Sequence, residues 1–422
     1  MLDVIMNDIL GTPSILVGLF ALIGLLLQKK SSADIVSGTL KTVMGFVIIG
    51  AGASVLTGAL DIFSKMFDHA FNVQGVIPNN EAIVAAAQSE FGTATALIMV
   101  FGMIVNILLA RFTPLKYIFL TGHHTLFMAC LIAVALSVGG LNGPAQIIIG
   151  SILLGLCMVI FPAMLQPYVR QITGSDDFAI GHFGTIGYFV SAMVGKWVGN
   201  KEKTTEQIKV PQSLGFLRDT SVAVSLTMTI FFIAVALFAG QSYIETELSG
   251  GSNFIVFSFI QAITFAAGVY IILAGVRMLI AEIVPAFKGI ADKLAPNTKP
   301  ALDCPTVFPF APNAVIIGFL FSFLAGLLSM FVLPVIGLKV IVPGLVPHFF
   351  TGAAAGVFGN ITGGRRGAMA GAFANGIIIS FLPAVLLVLL GDIGFEGTTF
   401  GDSDFGVVGI LILSIMELLG LA

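Results

Sequence analysis

The chain has 422 residues, 57% of them hydrophobic and only 10% charged, with a mean hydropathy of +1.05. So little charge cannot clothe a water-soluble globule, which excludes a soluble enzyme and indicates an all-α polytopic membrane protein. A net charge of -3 supplies no attractive field for nucleic acid, so that partner is excluded and the lipid bilayer is the expected surrounding.

The first apolar run covers residues 14–27 and ends at Lys29 and Lys30. Asp3 and Asp8 precede it without a positive stretch, which predicts a retained span and not a cleaved leader. A second run, 43–60, carries Gly45, Gly50, Gly52 and Gly58, a small-residue face suited to close helix packing. Residues 74–90 are neither apolar enough to span nor polar enough for a free loop, with Asn80 and Glu81 ahead of an AIVAAA core. They read as a re-entrant segment.

After the span at 92–110 come Arg111 and Lys116, then 53 residues without formal charge, inside which sit His123 and His124. Polar groups recur in apolar company at Asp176, Asp177 and His182. The one extended hydrophilic connection, 196–218, holds five of the 19 basic residues and is therefore expected on the cytoplasmic side. Further runs at 145–163, 222–238, 254–280, 314–333, 377–390 and 407–422, with the interrupted apolar segments around His123 and at 340–359, bring the expected total to about ten or eleven spans. Arg277 and Glu282, five apart in the long run, are expected to pair or to mark its boundary.

The stretch 300–314, PALDCPTVFPFAPNA, holds Asp303 as the only charge between Lys299 and Lys339. Pro305, Pro309 and Pro312 deny it a regular helix, and at membrane depth irregular backbone survives only beside protein or water. A carboxylate there reads as part of a polar site. Its neighbours in type are Asn80, Glu81, His123, His124, His182 and His348, each costing several kcal/mol to bury without a partner, so convergence on a hydroxyl-rich ligand is expected. No nucleotide or zinc-protease motif occurs, no cofactor is implied, and metal-ligand spacing is absent apart from the adjacent His123 and His124. Cys130 and Cys157 read as buried apolar residues.

The pattern G-x-x-I-I-x-A-G-x-x-x-L occurs at 45–56 and again at 268–279, offset by 223 residues, and the same offset sets Asn80 against Asp303. Broken polar segments at matched places are the mark of a repeated transporter architecture. The expected division is a first repeat at 1–195, a cytoplasmic connection at 196–220, a second repeat at 221–400 and a terminal helix at 401–422.

Read together, LTGHHTLFMACLIAV, DDFAIGHFGTIGYF, GNKEKTTEQIKVP, GVRMLIAE and ALDCPTVFPFAPNAV resemble the ascorbate-type membrane IIC component of the bacterial phosphoenolpyruvate-dependent sugar phosphotransferase system. The resemblance implies a permease in the bacterial cytoplasmic membrane, not an enzyme on its own, that presents substrate to a cytoplasmic IIB protein carrying a phosphocysteine. It also implies inverted repeats, a core domain beside a V-shaped dimerisation domain, and a homodimer. By the same resemblance His123, His182 and Asp303 bind substrate hydroxyls, and Asp303 assists proton removal. Three positions depart from the family pattern: Phe127 and Phe183 stand where glutamines are usual, and Glu81 where a tyrosine is. A carboxylate near an anionic ascorbate costs binding, and flat apolar faces suit sugar rings, so a neutral sugar or alditol competes with ascorbate as the substrate. A proton-coupled secondary transporter is the alternative.

Overall fold

The structure is a computed structural model, and it describes residues 13–71, 76–78, 80–208, 220–293, 295–391 and 398–420. Helices dominate it. In order they are α1 (Pro13–Leu27), α2 (Ser32–Phe71), α3 (Asn80–Phe112), α4 (Gly122–Val138), α5 (Gly143–Thr173), α6 (Thr185–Val198) and α7 (Thr220–Ala239). There follow a short α8 (Gln241–Tyr243), α9 (Phe254–Lys293), α10 (Pro312–Val332), α11 (Leu345–Leu390) and α12 (Ser403–Leu418). Five short strands lie between them: β1 (Ile77–Pro78), β2 (Tyr117–Phe119), β3 (Ala179–Ile180), β4 (Lys299–Leu302) and β5 (Thr398–Thr399).

Local sequence explains the helix ends. Ser31 Oγ accepts from the Asp34 N–H at 3.2 Å and starts α2, while Pro144 sits in the first turn of α5 and Gly174, at φ 69°, ends it. Helix α11 is two legs joined at Gly364, whose φ of 58° and ψ of -147° lie outside helical space. A Cβ on Gly359 would collide with the Gly367 carbonyl oxygen, so the legs fold back on each other and only glycine fits their crossing.

Among the described residues five helical stretches are long and apolar enough to cross a bilayer: Ser32–Gly52, Glu90–Phe112, Gly143–Thr173, Pro312–Ile336 and Val346–Leu390. A sixth forms if Met228–Ala239 and Gln241–Leu248, bent by 103°, count as one. Length alone thus gives fewer spans than the sequence reading. Part of the difference is that α11 is a doubled-back pair, and part is that Gly122–Val138 and Phe254–Gly268 are apolar but short. Of the two readings of Arg277 and Glu282, the pairing with each other is corrected: Glu282 Oε1 pairs instead with Lys41 Nζ of α2 at 3.0 Å.

The strands form two small parallel sheets. In one, β4 is central, with Tyr117 to Phe119 of β2 in register with Lys299 to Ala301 on one side, and Ala179 and Ile180 of β3 opposite Ala301 and Leu302 on the other. In the other, β1 pairs with β5, while Val76 bridges Ile341. Parallel strands lend their amide groups to one another, so non-helical backbone is satisfied inside an apolar molecule. Two apolar clusters enclose the strands, one with Ile180, Leu302 and Phe308, the other with Phe119, Ala179 and Ala301.

Candidate substrate-binding site

Because β2, β3 and β4 run parallel, the residues that follow them emerge at the same end of the sheet. After β2 come His123 and His124 in the first turn of α4, after β3 comes His182, and after β4 comes Asp303. The register continues into the site, with the Leu120 N–H donating to the Ala301 carbonyl at 2.9 Å and the Gly181 N–H to the Leu302 carbonyl at 2.6 Å. Gly181 has to be glycine, since a Cβ there would lie 2.7 Å from the Ala301 carbonyl oxygen.

Asp303 is the hub of the site. Its Oδ2 lies 3.5 Å from His123 Nε2 and its Oδ1 3.8 Å from His182 Nε2, while Oδ1 also accepts the Cys304 N–H at 2.7 Å. The His123 side chain is 32% exposed, that of Asp303 18% and that of His182 4%, so the cluster opens on the His123 side. Tyr188 Oη holds the His182 ring at 2.8 Å through Nδ1. The proline-bounded turn Cys304–Phe310 is a 3-10 helix, and the Asp303 carbonyl accepts from the Thr306 hydroxyl at 2.8 Å, which fixes the carboxylate at its start.

His124 is buried, its ring centroid 3.9 Å from that of His182 and 5.8 Å from that of Phe405. Its Nδ1 faces the Phe183 N–H at 3.5 Å. The Phe183 ring is buried against Phe119, centroids 4.8 Å apart, and Phe127 meets His123 edge-on at 5.8 Å. Phe183 therefore serves the cluster through its main chain, while its ring packs the core.

Asn80 joins from the second sheet. Its Nδ2 donates to Asp402 Oδ2 at 2.9 Å and its Oδ1 accepts the Gly401 N–H at 2.8 Å. Glu81 falls in the first turn of α3, and its side chain lies outside the described residues. His348 is not part of the cluster in its contacts: it bonds Ser322 Oγ through Nδ1 at 2.9 Å and packs on Phe323.

Four residues here escaped the sequence reading: Tyr188, Asp402, Ser403 and Asp404. Asp404 accepts the N–H groups of Thr185 and Ile186, each at 2.8 Å, and Ser403 Oγ that of Gly187 at 3.1 Å. Together they cap α6, whose own N-cap, Gly184, has no side chain to do so. The run GDSD before an apolar helix was the available signal.

Chemically the site offers imidazole donors, carboxylate acceptors and the buried Thr121 hydroxyl, which has no hydrogen-bond partner among the described residues. That inventory suits hydroxyl groups. Three overlapping sets also have metal-ligand chemistry, with ligand atoms within 4.8 Å: His123, His124 and Asp303; His124, His182 and Asp402; His182, Asp303 and Cys304.

Beyond the Cys304–Phe310 turn, Glu206 Oε1 accepts the N–H groups of Asn313 and Ala314 at 3.0 and 3.2 Å and caps α10. Asn360 Oδ1 accepts the Thr205 N–H at 2.9 Å, and Arg365 Nε donates to the Thr204 carbonyl at 3.1 Å. The basic connection is thereby docked on the apex of α11 and on the start of α10.

An ascorbate-specific PTS system EIIC component of Mycoplasma pneumoniae is 28% identical over 420 residues, a match covering 87% of this chain and 63% of that protein's length. The EIIC-GAT family model, described as PTS system sugar-specific permease component, matches residues 8–404, and the chain belongs to that family.

Proposed function

We propose that this chain is the membrane permease of a phosphotransferase system, carrying ascorbate or a related small polyol or sugar inward for phosphorylation by a separate IIB protein with a phosphocysteine. The observation that carries this reading is Asp303 set between His123 and His182 where three parallel strands end. His123 and His182 can donate to hydroxyl oxygens, and Asp303 can accept a hydroxyl proton as a phosphoryl group arrives.

Family membership supports the cytoplasmic membrane of a bacterium as its place and a homodimer as its assembly. The repeated G-x-x-I-I-x-A-G-x-x-x-L pattern is the support for two repeats, proposed as inverted, at 1–195 and 221–400, joined by the 196–220 connection and followed by the 401–422 helix. The pairing is consistent with that division, since β1 and β4 each precede a site residue, Asn80 and Asp303, and each lies between two partner segments. A carboxylate between imidazoles can also carry a coupling proton, which is the arrangement a proton-coupled transporter needs.

The test is thermal stabilisation of the purified protein by ascorbate, pentitols, hexitols and hexoses, with Asp303→Asn as control, followed by assay for phosphorylated product with a phospho-IIB protein. A stabilising sugar or polyol that becomes phosphorylated is the expected result. Accumulation of unmodified substrate driven by a proton gradient alone would instead establish the secondary transporter.

A further inference from the structure

Thr121 occupies the N-cap position of α4, where a threonine hydroxyl ordinarily accepts an N–H of the first helical turn. Here it makes no such bond. The main chain fixes the residue instead, with the Thr121 carbonyl accepting the Thr125 N–H at 3.0 Å and the Thr125 hydroxyl at 3.1 Å. The side chain is left over, in a residue only 3% exposed, with its Oγ1 bonded to nothing among the described residues. A hydroxyl buried without a partner is costly, so threonine in place of a similarly shaped valine points to a partner that arrives from outside the chain.

Register places Thr121 beside Asp303. Phe119 of β2 is paired with Ala301 of β4, and the Leu120 N–H extends the ladder by donating to the Ala301 carbonyl at 2.9 Å, so Thr121 falls opposite Asp303. Side chains alternate along strands, and the packing shows it: Phe119 and Ala301 join one apolar cluster, Leu120 and Leu302 the other. Thr121 and Asp303 therefore continue the face of Phe119. The third strand adds only Gly181 to this row. Of the Asp303 oxygens, Oδ1 accepts the Cys304 N–H at 2.7 Å, while Oδ2 has His123 Nε2 at 3.5 Å, too long for a normal hydrogen bond. Oδ2 thus has room for a hydroxyl.

We infer that Thr121 is a specificity-determining residue which, with Asp303, reads two hydroxyl groups on adjacent carbons of the substrate. One of these donates to Asp303 Oδ2, and the Thr121 hydroxyl donates to the oxygen of the other. Neighbouring parallel strands lie about 4.8 Å apart. Hydrogen bonds of about 2.8 Å, one from each residue, converge on two oxygens closer together than the strands, as in a vicinal diol. A carboxylate can only accept while a threonine hydroxyl can donate, so the pair selects a polyol, sugar or ascorbate carrying that diol over an analogue lacking one of its hydroxyls. This role rests on the reading of the cluster as the substrate site given above.

The full chain in lipid nanodiscs is compared as wild type, Thr121→Val and Thr121→Ser. Without any added compound, Thr121→Val is expected to melt no lower than wild type, since valine keeps the branched shape and removes only the unpartnered hydroxyl. A clearly lower melting temperature, or failure of Thr121→Val to fold, would mean that the hydroxyl is already bonded within the protein, and overturns the assignment.

Binding is then measured with ascorbate, xylitol, sorbitol and glucose. For whichever of these binds the wild-type protein, Thr121→Val is expected to weaken binding by about tenfold or more, and Thr121→Ser by no more than about threefold. Monodeoxy analogues of that compound identify the partner. One of them should bind wild type and Thr121→Val equally, because the hydroxyl it lacks is the one that Thr121 holds. Unchanged affinity in Thr121→Val, or the same ratio of losses for every analogue, overturns the role of Thr121 and leaves the substrate site standing. If none of the four compounds binds wild type, the substrate reading itself fails and the diol contact falls with it.

Discussion

Lys299 and Asp176 clamp the three-strand sheet at the end away from the site, their side chains joined as an ion pair across β4 and the segment leading into β3. Arg170 Nε at the end of α5 reaches the same carboxylate at 2.7 Å. Partial burial pushes the Asp176 carboxyl up, but hydrogen bonds from Lys299, Arg170 and Gln166 outweigh it and hold the group at about 2. A carboxyl held low in the folded state stabilises the fold above the ordinary carboxylate range, and that contribution is lost as pH falls through about 2. With the Asp176 side chain 45% exposed, screening leaves at most about 1 kcal/mol. Asp176→Asn is therefore expected to melt slightly lower at pH 7, and the gap should close as the pH is taken below 4. A gap that widens toward acid would contradict this account.

Asp303→Asn keeps the shape of the site and removes the charge that His123 and His182 face. Ligand-induced thermal stabilisation should weaken by about 1.5–3 kcal/mol, the value of hydrogen bonds to a charged group. Unligated melting should change much less. Undiminished stabilisation by the same ligand would remove Asp303 from the binding contacts.

Gly359→Ala introduces a methyl group into the crossing of the two legs of α11, against the Gly367 carbonyl. Overpacking of this kind costs about 1–3 kcal/mol. A lower melting temperature with unchanged ligand preference is the expected outcome, and wild-type melting would mean the legs are not in contact there.

Glu206→Ala strips the cap from α10 and leaves the Asn313 and Ala314 N–H groups to water. The expected loss is about 0.5–2 kcal/mol, as for other N-terminal caps. Limited proteolysis in the 199–208 connection should quicken at the same time, because Glu206 also fastens that connection to the helix. Unchanged cleavage would show that Arg365 and Asn360 suffice to hold it.

Asn80→Ala removes the side chain that satisfies both the Gly401 N–H and one oxygen of Asp402. Leaving such groups short of partners costs about 1–3 kcal/mol. Melting should fall accordingly, and Asn80→Asp, which sets two carboxylates together, should not rescue it.

Asp303 was legible in the sequence because it is an isolated carboxylate among prolines, where burial without use would be costly. The adjacency of His123 and His124 could not separate their roles. Helical geometry did that: His123 turns toward Asp303 at the exposed side, while His124 turns inward to the Phe183 N–H. Phe183 was read through its side chain, and its main-chain N–H facing His124 Nδ1 is a contact that side-chain chemistry does not reveal. Asp402 and Asp404 were missed because the final apolar run was taken to begin at residue 407, beyond both of them. Their function depends on α6 and α3, partners more than 200 residues away, which no local pattern reports.

The hydrogen bond from Asn80 to Asp402 joins residues 322 positions apart. At roughly 5–20 residues per second of synthesis, Asn80 enters the membrane tens of seconds before Asp402 has been made. Throughout that interval the first half of the protein holds an amide and two histidines whose later partners do not yet exist. Assembly of this molecule is therefore a waiting problem, in which water or a membrane chaperone has to satisfy the polar groups of the early helices until the last helix arrives and closes the site.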